Sequence, residues 1–375
     1  MYEQLKGDIL FCMFYGAVGM LPLVAGFYLW FRRANAFAPQ ITSPVRLRRW
    51  MAAFFACLTL SHVWYIPILF QSSKEEALQT YLIGGLLDAV TVFPLSIIVL
   101  LVMMQDRRRP LWPAVALMLP VVGALIWSIV NCSDALFTVI SVYSLLLSIG
   151  IFIYMVRALR QYGHWLRDNY ADLEHKEVWQ NLIVLVAIQF LYFFYAFSVE
   201  TLVFQYIMQT ACIVLVFYLL WRVETLSDLH LPENEAEDDE DVVAVEKENE
   251  KTLPAFNRND IGLLLKSYCE DKQLYLQQGI SVAQMAKKIG TNRLYLGRYL
   301  SSKGVTYNTY INDLRIRHFI NLYHKTAAAH QPLIIKKLAS QSGFSSYSTF
   351  GLAFKQVMGM TASEWMRTVE SKEGC

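Results

Sequence analysis

The stretch "LASQSGFSSYSTFGLAFKQVMG", Leu338 to Gly359, alternates two helical patterns about one glycine. Leu338 and Ala339 are the apolar residues of a short first helix. Gly343 turns the chain, because glycine alone adopts a left-handed conformation without steric cost. Ser346 is placed to cap a second helix, since its hydroxyl can accept from a free first-turn N–H. Phe350 and Phe354, four apart, put two rings on one face of that helix. A few residues upstream, Pro332 is expected to start the first helix. The whole reads as helix, turn, helix.

A similar unit precedes it. "ISVAQMAKKIGTNRLYLGRYLS", Ile280 to Ser301, places Val282, Met285, Ala286 and Ile289 on one stripe of a 3.6-residue period. Ser281 is the expected N-cap and Gly290 the turn. Asn292 is expected to cap the next helix, which carries Arg293, Tyr295, Leu296, Arg298, Tyr299 and Leu300. A longer helical run, Tyr307 to Tyr323, joins the two units. From Pro254 to Cys375 there are sixteen Lys plus Arg and seven Asp plus Glu, a surplus of nine positive charges. Two helix–turn–helix units on a basic domain imply a polyanionic partner.

"AxxIGxNxxYLxRYL" (Ala286 to Leu300) and "LAxxSGFSSYSTFxxAFKxxxGMTxSEW" (Leu338 to Trp365) resemble the DNA-binding domains of the AraC/XylS family. The resemblance spans about 110 residues, Asp260 to Arg367, and none of the chain before them. It implies an all-helical domain that lays two recognition helices into successive major-groove turns of double-stranded promoter DNA. The matching reader positions of the first unit are Asn292, Arg293, Leu294, Gly297 and Arg298. Arg298 can bond guanine bidentately, and Arg293 can reach a base or a phosphate. Gly297 has no side chain with which to read. In the second unit the positions are Tyr347, Ser348, Gly351 and Leu352, with Lys355 toward the backbone. Many family members have arginine where Leu352 stands, and Ala362 replaces a usual proline. The first unit is therefore expected to dominate sequence readout. RNA polymerase is a further partner that the resemblance implies.

The remainder of the chain lives in a different solvent. Of 375 residues 55% are hydrophobic and mean hydropathy is +0.34, above the 45–50% of a soluble domain. The excess lies in the first ~220 residues. Seven runs are long enough to cross a bilayer: Ile9–Trp30, Met51–Phe70, Tyr81–Met104, Trp112–Val130, Leu136–Val156, Asn181–Phe197 and Thr201–Trp221. The first is too long for a cleaved signal peptide and has no basic leader. Alternate loops hold twelve basic residues (Arg32, Arg33, Arg46, Arg48, Arg49; Arg107 to Arg109; Arg157, Arg160, Arg167, Lys176) against Lys6 and Lys74 in the other set. The positive-inside rule then places the N-terminus outside and the C-terminus in the cytoplasm. The outer loops are too short to form a domain.

Polar residues within the runs are costly in lipid and mark function or helix contacts. Asp88 lies roughly 10 Å and His62 roughly 12 Å from the outer edge at 1.5 Å per residue. Gln189 has a similar depth, and Gln205 and Gln209 share a face. Five polar groups from four helices thus form one layer. It is either a small-molecule or lipid ligand site, with Asp88 as counter-charge and His62 as partner or proton switch, or interhelical glue. Pro22, Pro67, Pro94 and Pro120 can kink the helices around it.

Val223 to Lys251 has twelve acidic residues and two lysines. Its core, "ENEAEDDEDVVAVEKENEKTLP", cannot bury enough apolar surface to fold and reads as an extended tether. A second reading is an intramolecular DNA mimic over the basic domain. "HWLRDNYADLEH", His164 to His175, reads as a solvated charged helix. The six cysteines form no CxxC pair and no zinc spacing, so neither a metal nor a disulfide framework is expected, although Cys12 and Cys132 both fall near the outer face. No HExxH motif or carboxylate pair points to an enzyme, and no cofactor is implied.

The expected organisation is all-α: a seven-span transmembrane domain over 1–222, an acidic linker over 223–255 and a helix-turn-helix domain over 256–375. The expected function is a one-component transcription regulator of a bacterial inner membrane, with the bundle as sensor and a second copy of the chain as partner. Alternatives are a transporter or membrane enzyme whose tail controls its own promoter, and a bundle that only anchors the reader.

Overall fold

The computed structural model describes residues 8–70, 73–131, 133, 135–180, 183, 184, 186, 202–229 and 258–373. The chain divides into two compact units, Met1–Tyr162 with Val178–Leu229, and Gly163–Glu177 with His230–Cys375. Among the described residues every regular element is a helix, with one isolated antiparallel bridge between Tyr170 and Ser281.

The first unit contains α1 (Ile9–Phe31), α2 (Val45–Tyr65), α3 (Lys74–Val90), α4 (Val92–Val102), α5 (Trp112–Ala116), α6 (Leu119–Val130), most of α7 (Phe137–Asn169) and α8 (Leu202–Thr225). Among the described residues six helices are long and apolar enough to cross a membrane: Ile9–Phe31, Val45–Ile68, Glu75–Val102, Trp112–Val130, Phe137–Asn169 and Leu202–Thr225. They match six of the seven expected runs. The other, Asn181–Phe197, lies largely outside the described residues. Along α7 the stripe Val142, Leu146, Ile149 and Ile153 is exposed, the kind of face that lipid rather than water covers.

The prolines act where the sequence placed them. Each lacks an N–H for the carbonyl four residues earlier. Pro22 is absorbed inside α1. Pro67 lies in a 3-10 turn, Ile66–Leu69, that ends the second span. At Thr91 the third span breaks into α3 and α4, three residues before Pro94, and the Thr91 hydroxyl donates to the Leu87 carbonyl at 2.6 Å. Pro120 opens α6 after a break that separates it from α5. Several boundaries move. α2 begins at Val45, six residues before the expected run, α3 begins at Lys74, seven before Tyr81, and α7 continues to Asn169, well past Val156. Polar turns extend a helix freely once it leaves lipid, so apolar runs understate its length.

A buried polar network closes one end of this unit. Glu224, near the end of α8, is fully buried. Its Oε2 accepts the backbone N–H groups of Ala36 (2.9 Å) and Phe37 (2.8 Å), and its Oε1 accepts from the Tyr28 hydroxyl. Asn35 donates to the Glu224 carbonyl and accepts from Arg48 at 2.8 Å. Val223 and Leu226 are buried, and the Asp228 N–H bonds the Thr42 carbonyl at 2.8 Å. The first residues of the expected linker, 223–229, are thus packed. Residues 230–257 lie outside the described residues.

The second unit contains α9 (Arg258–Leu264), a π-helical turn (Leu265–Glu270), α10 (Val282–Ile289), α11 (Arg293–Ser302), α12 (Tyr307–Ala328), α13 (Ile335–Gln341), α14 (Tyr347–Met358) and α15 (Ala362–Glu373). Two cores fill it. One gathers Val282, Met285, Ala286, Ile289, Leu296, Leu300 and Ile311. The other gathers Phe319, Leu338, Phe344, Phe350, Phe354 and Trp365. The long α12 contributes to both. Its run, expected to Tyr323, continues to Ala328.

Candidate nucleic-acid interface and intramembrane polar layer

Both helix–turn–helix units fold around the expected caps. The Ser281 hydroxyl accepts the Gln284 N–H at 3.2 Å, and the Gln284 side chain accepts the Ser281 N–H at 3.1 Å, a capping box. Gly290, at φ 78°, ends α10. Asn292 then caps α11, its Oδ1 accepting the Tyr295 N–H at 2.9 Å. In the second unit Gly343 has φ 89°, and an added Cβ would stand 2.8 Å from Leu276 backbone atoms. Only glycine fits there. The Ser346 hydroxyl accepts the Thr349 N–H at 3.2 Å and caps α14. One expectation fails: α13 begins at Ile335, not at Pro332. The Ile334 N–H bonds the Pro332 carbonyl at 3.1 Å, a three-residue turn that bends the chain before the helix starts.

The buried faces of α11 and α14 fix what the opposite faces offer. On α11 Leu296 and Leu300 are buried, which leaves Arg298 exposed, Arg293 half-buried and Leu294 exposed. Asn292 is exposed, but its carbonyl oxygen serves as the cap, so only its amide NH2 can reach outward. On α14 Phe350 and Phe354 are buried, and Tyr347, Ser348, Leu352 and Lys355 are exposed. The Tyr347 ring leans on Phe350 at 5.7 Å while the residue stays exposed. The expected reader positions therefore fall on the uncovered faces of two capped helices.

A contact that the sequence did not announce completes this unit. Tyr170 to Glu174 lie against the helix–turn–helix elements. Ala171 is buried in the first core. The Arg315 guanidinium on α12 is fully buried and pairs with Asp172 Oδ1 at 2.9 Å. Its Nε and Nη2 donate to the carbonyls of Tyr275 (2.8 Å) and Gln277 (2.9 Å). Asp172 Oδ2 accepts the Gly279 N–H at 2.8 Å. Asn308 donates to the carbonyls of Tyr170 and Ala171. The stretch His164 to His175 is thus not a solvated helix throughout. Its helix stops at Asn169, and Ala171 and Asp172 beyond that point are buried.

Charge and burial shape the remaining groups. Burial, then the Glu270 charge, pushes the Cys269 thiol up to about 12, so it behaves as a small hydrophobe. Burial, then Lys325, lowers the His318 imidazole, which lies 3.2 Å from the Tyr275 hydroxyl. Burial lowers the Lys176 ammonium, against the raising pull of Asp172.

In the first unit the expected polar layer is partly assembled. His62 Nε2 lies 3.1 Å from Gln209 Oε1, and Gln209 is buried. The Tyr65 hydroxyl donates to Asp88 Oδ2 at 3.0 Å, and the Tyr15 hydroxyl to the His62 carbonyl at 2.9 Å. Gln205 is half-buried one turn from Gln209. Gln189 lies outside the described residues. The two tyrosines were missed because a Tyr in an apolar run looks like any other ring. Gly84 was missed as well. A Cβ there would collide with the Tyr65 ring, so the glycine makes room for the side chain that reaches Asp88. Among the described residues no group of three or more His, Cys, Asp or Glu is placed to hold a metal ion.

Residues 285–368 match the helix-turn-helix domain family. Over 84 residues the chain is 38% identical to the TCP pilus virulence regulatory protein of Vibrio cholerae serotype O1, in both a classical and an El Tor strain. That match covers 22% of this chain and 29% of each relative, so the chain spans less than a third of the length of these relatives. No solved structure matches the chain.

Proposed function

We propose that this chain, whose C-terminal third carries an AraC-type helix-turn-helix domain, is a membrane-anchored transcription regulator that binds promoter DNA directly. The observation that carries the reading is the pair of capped helices, α11 and α14. Each presents exposed polar side chains opposite a buried apolar face, on a domain with nine surplus positive charges. Arg298 and Arg293 supply base and phosphate contacts, with Asn292 and Leu294 beside them. Tyr347, Ser348 and Lys355 add phosphate and shape contacts. The relative's description as a virulence regulatory protein supports regulation as the output.

The apolar unit anchors the reader in a bacterial inner membrane, with the N-terminus out and the reader in the cytoplasm, by the distribution of arginine among the loops. It also senses. The layer of His62, Asp88, Gln205 and Gln209, with Gln189, takes a small polar or lipid ligand between helices. A second copy of the chain raises affinity through local concentration, and RNA polymerase is the downstream partner.

The test is to crosslink living cells, isolate the membrane fraction, and recover DNA held by the chain. Distinct chromosomal sites enriched from the membrane fraction support the reading. Recovery of the chain from the soluble fraction, or of DNA without site preference, refutes it.

A further inference from the structure

We infer that Tyr170–Lys176 is an intramolecular ligand of the DNA reader, anchored through Asp172, which holds the Glu174 carboxylate at the start of the second recognition helix in competition with DNA phosphate. The inference rests on the DNA-reading function proposed above.

The segment has two ends of different character. The anchor is Tyr170 to Asp172. It is secured by the bridge to Ser281, the burial of Ala171, the buried pair with Arg315 and the bond from Gly279. Freeing it would strand a buried guanidinium, so the anchor stays. The arm is Leu173 to Lys176. The Lys176 N–H bonds the Leu173 carbonyl at 3.0 Å, and His175 takes a left-handed φ of 62°. The Lys176 ammonium bonds the Asp172 carbonyl at 2.8 Å and lies 5.2 Å from the Tyr170 ring. This turn folds the arm back and presents Glu174, only part-buried, to α14. There Glu174 Oε2 accepts from the Thr349 hydroxyl at 3.1 Å.

Thr349 follows Tyr347 and Ser348 directly, in the first turn of α14. That turn carries free N–H groups and the positive end of the helix, the place a phosphate approaches. A carboxylate there offers the same hydrogen bond and the same sign of charge as the phosphate. The two cannot share the site. An acidic partner for the reader is therefore present in the chain between the fifth and sixth apolar runs. The arm is also continuous through the anchor with α7, which carries the fifth apolar run. A change in that helix has a route to the arm that does not pass through residues 230–257.

The experiment uses the full chain in phospholipid nanodiscs and sheared genomic duplex DNA at several salt concentrations. Wild type, Glu174→Gln and Arg298→Ala are compared, with hydrogen exchange followed on the wild type. Glu174→Gln keeps the hydrogen-bond acceptor and removes the charge. It is expected to bind about fivefold tighter or more, at the low end of ordinary coupling between sites. DNA is expected to speed exchange over 173–176 while 170–172 stays protected. If Glu174→Gln binds no tighter while Arg298→Ala loses binding, the reader stands and the competing arm is wrong. If neither wild type nor Glu174→Gln binds DNA, the DNA reading fails and this inference fails with it.

Discussion

His62 Nε2 on α2 and Gln209 Oε1 on α8 lie 3.1 Å apart, and the other ring nitrogen, Nδ1, lies 2.9 Å from the Leu58 carbonyl. Both nitrogens thus face oxygen acceptors. A neutral imidazole has one N–H to give. A neutral ring that gives its proton to the Leu58 carbonyl leaves Nε2 as an acceptor, which Gln209 meets by turning its amide NH2 toward it. Replacing His62 with Ala leaves the buried Gln209 amide without this partner, at a cost of about 1–3 kcal/mol. The full chain in detergent should melt at lower temperature, and a reporter driven by its target promoter should lose its response to stimulus. A variant that melts lower but responds normally would assign the pair to helix packing alone.

Glu224 ties the end of α8 to the chain after α1. Glu224→Ala removes the acceptor of the Ala36 and Phe37 N–H groups. Each hydrogen bond to a charged acceptor contributes about 1.5–3 kcal/mol. Amide hydrogen exchange should rise at Ala36 and Phe37, with little change in α14. Unchanged exchange at both amides would mean that the carboxylate holds nothing there.

Gly343→Ala tests the second turn. The left-handed φ of 89° and the 2.8 Å approach to Leu276 both oppose a methyl group. Backbone strain of this kind costs about 1–3 kcal/mol. Exchange should rise in α13 and α14 and stay low in α10. Equal loss in both units would show that α12 couples them into a single unfolding step.

Asp172→Asn tests the buried pair with Arg315. Breaking such a pair by altering one partner costs about 3–5 kcal/mol, because the other charge stays buried. The second unit should melt earlier in the full chain. Asp172→Asn paired with Arg315→Met should recover part of that loss, since no charge is then stranded.

Much of this was legible in the sequence, and what was not has physical reasons. Ser281, Gly290, Asn292 and Ser346 announce caps and turns, because those roles depend on one residue and its near neighbours. Six apolar runs announce spans, because lipid enforces helix on any such run. Pro67, Pro94 and Pro120 announce breaks for the same local reason. Pro332 misled, because a proline can sit before a helix as well as at its start. Asp172 and Arg315 are 143 residues apart, as the separation of their hydrogen bond records. No spacing rule reaches that far, and an acidic residue among charged neighbours looks solvated. The Tyr65–Asp88 bond and the vacancy at Gly84 that permits it depend on how helices pack, which composition does not reveal.

The central claim is that the chain reads DNA sequence through α11 and α14. The most direct measurement is selection from a genomic duplex library by the full chain in nanodiscs, repeated with Arg298→Ala, at rising salt. The account predicts a compact enriched site for the wild type, weakened by salt, and loss of that enrichment in the variant, where a bidentate contact worth about 1–3 kcal/mol is gone. Binding that follows salt alone with no enriched site, or the same site enriched by both proteins, would contradict it.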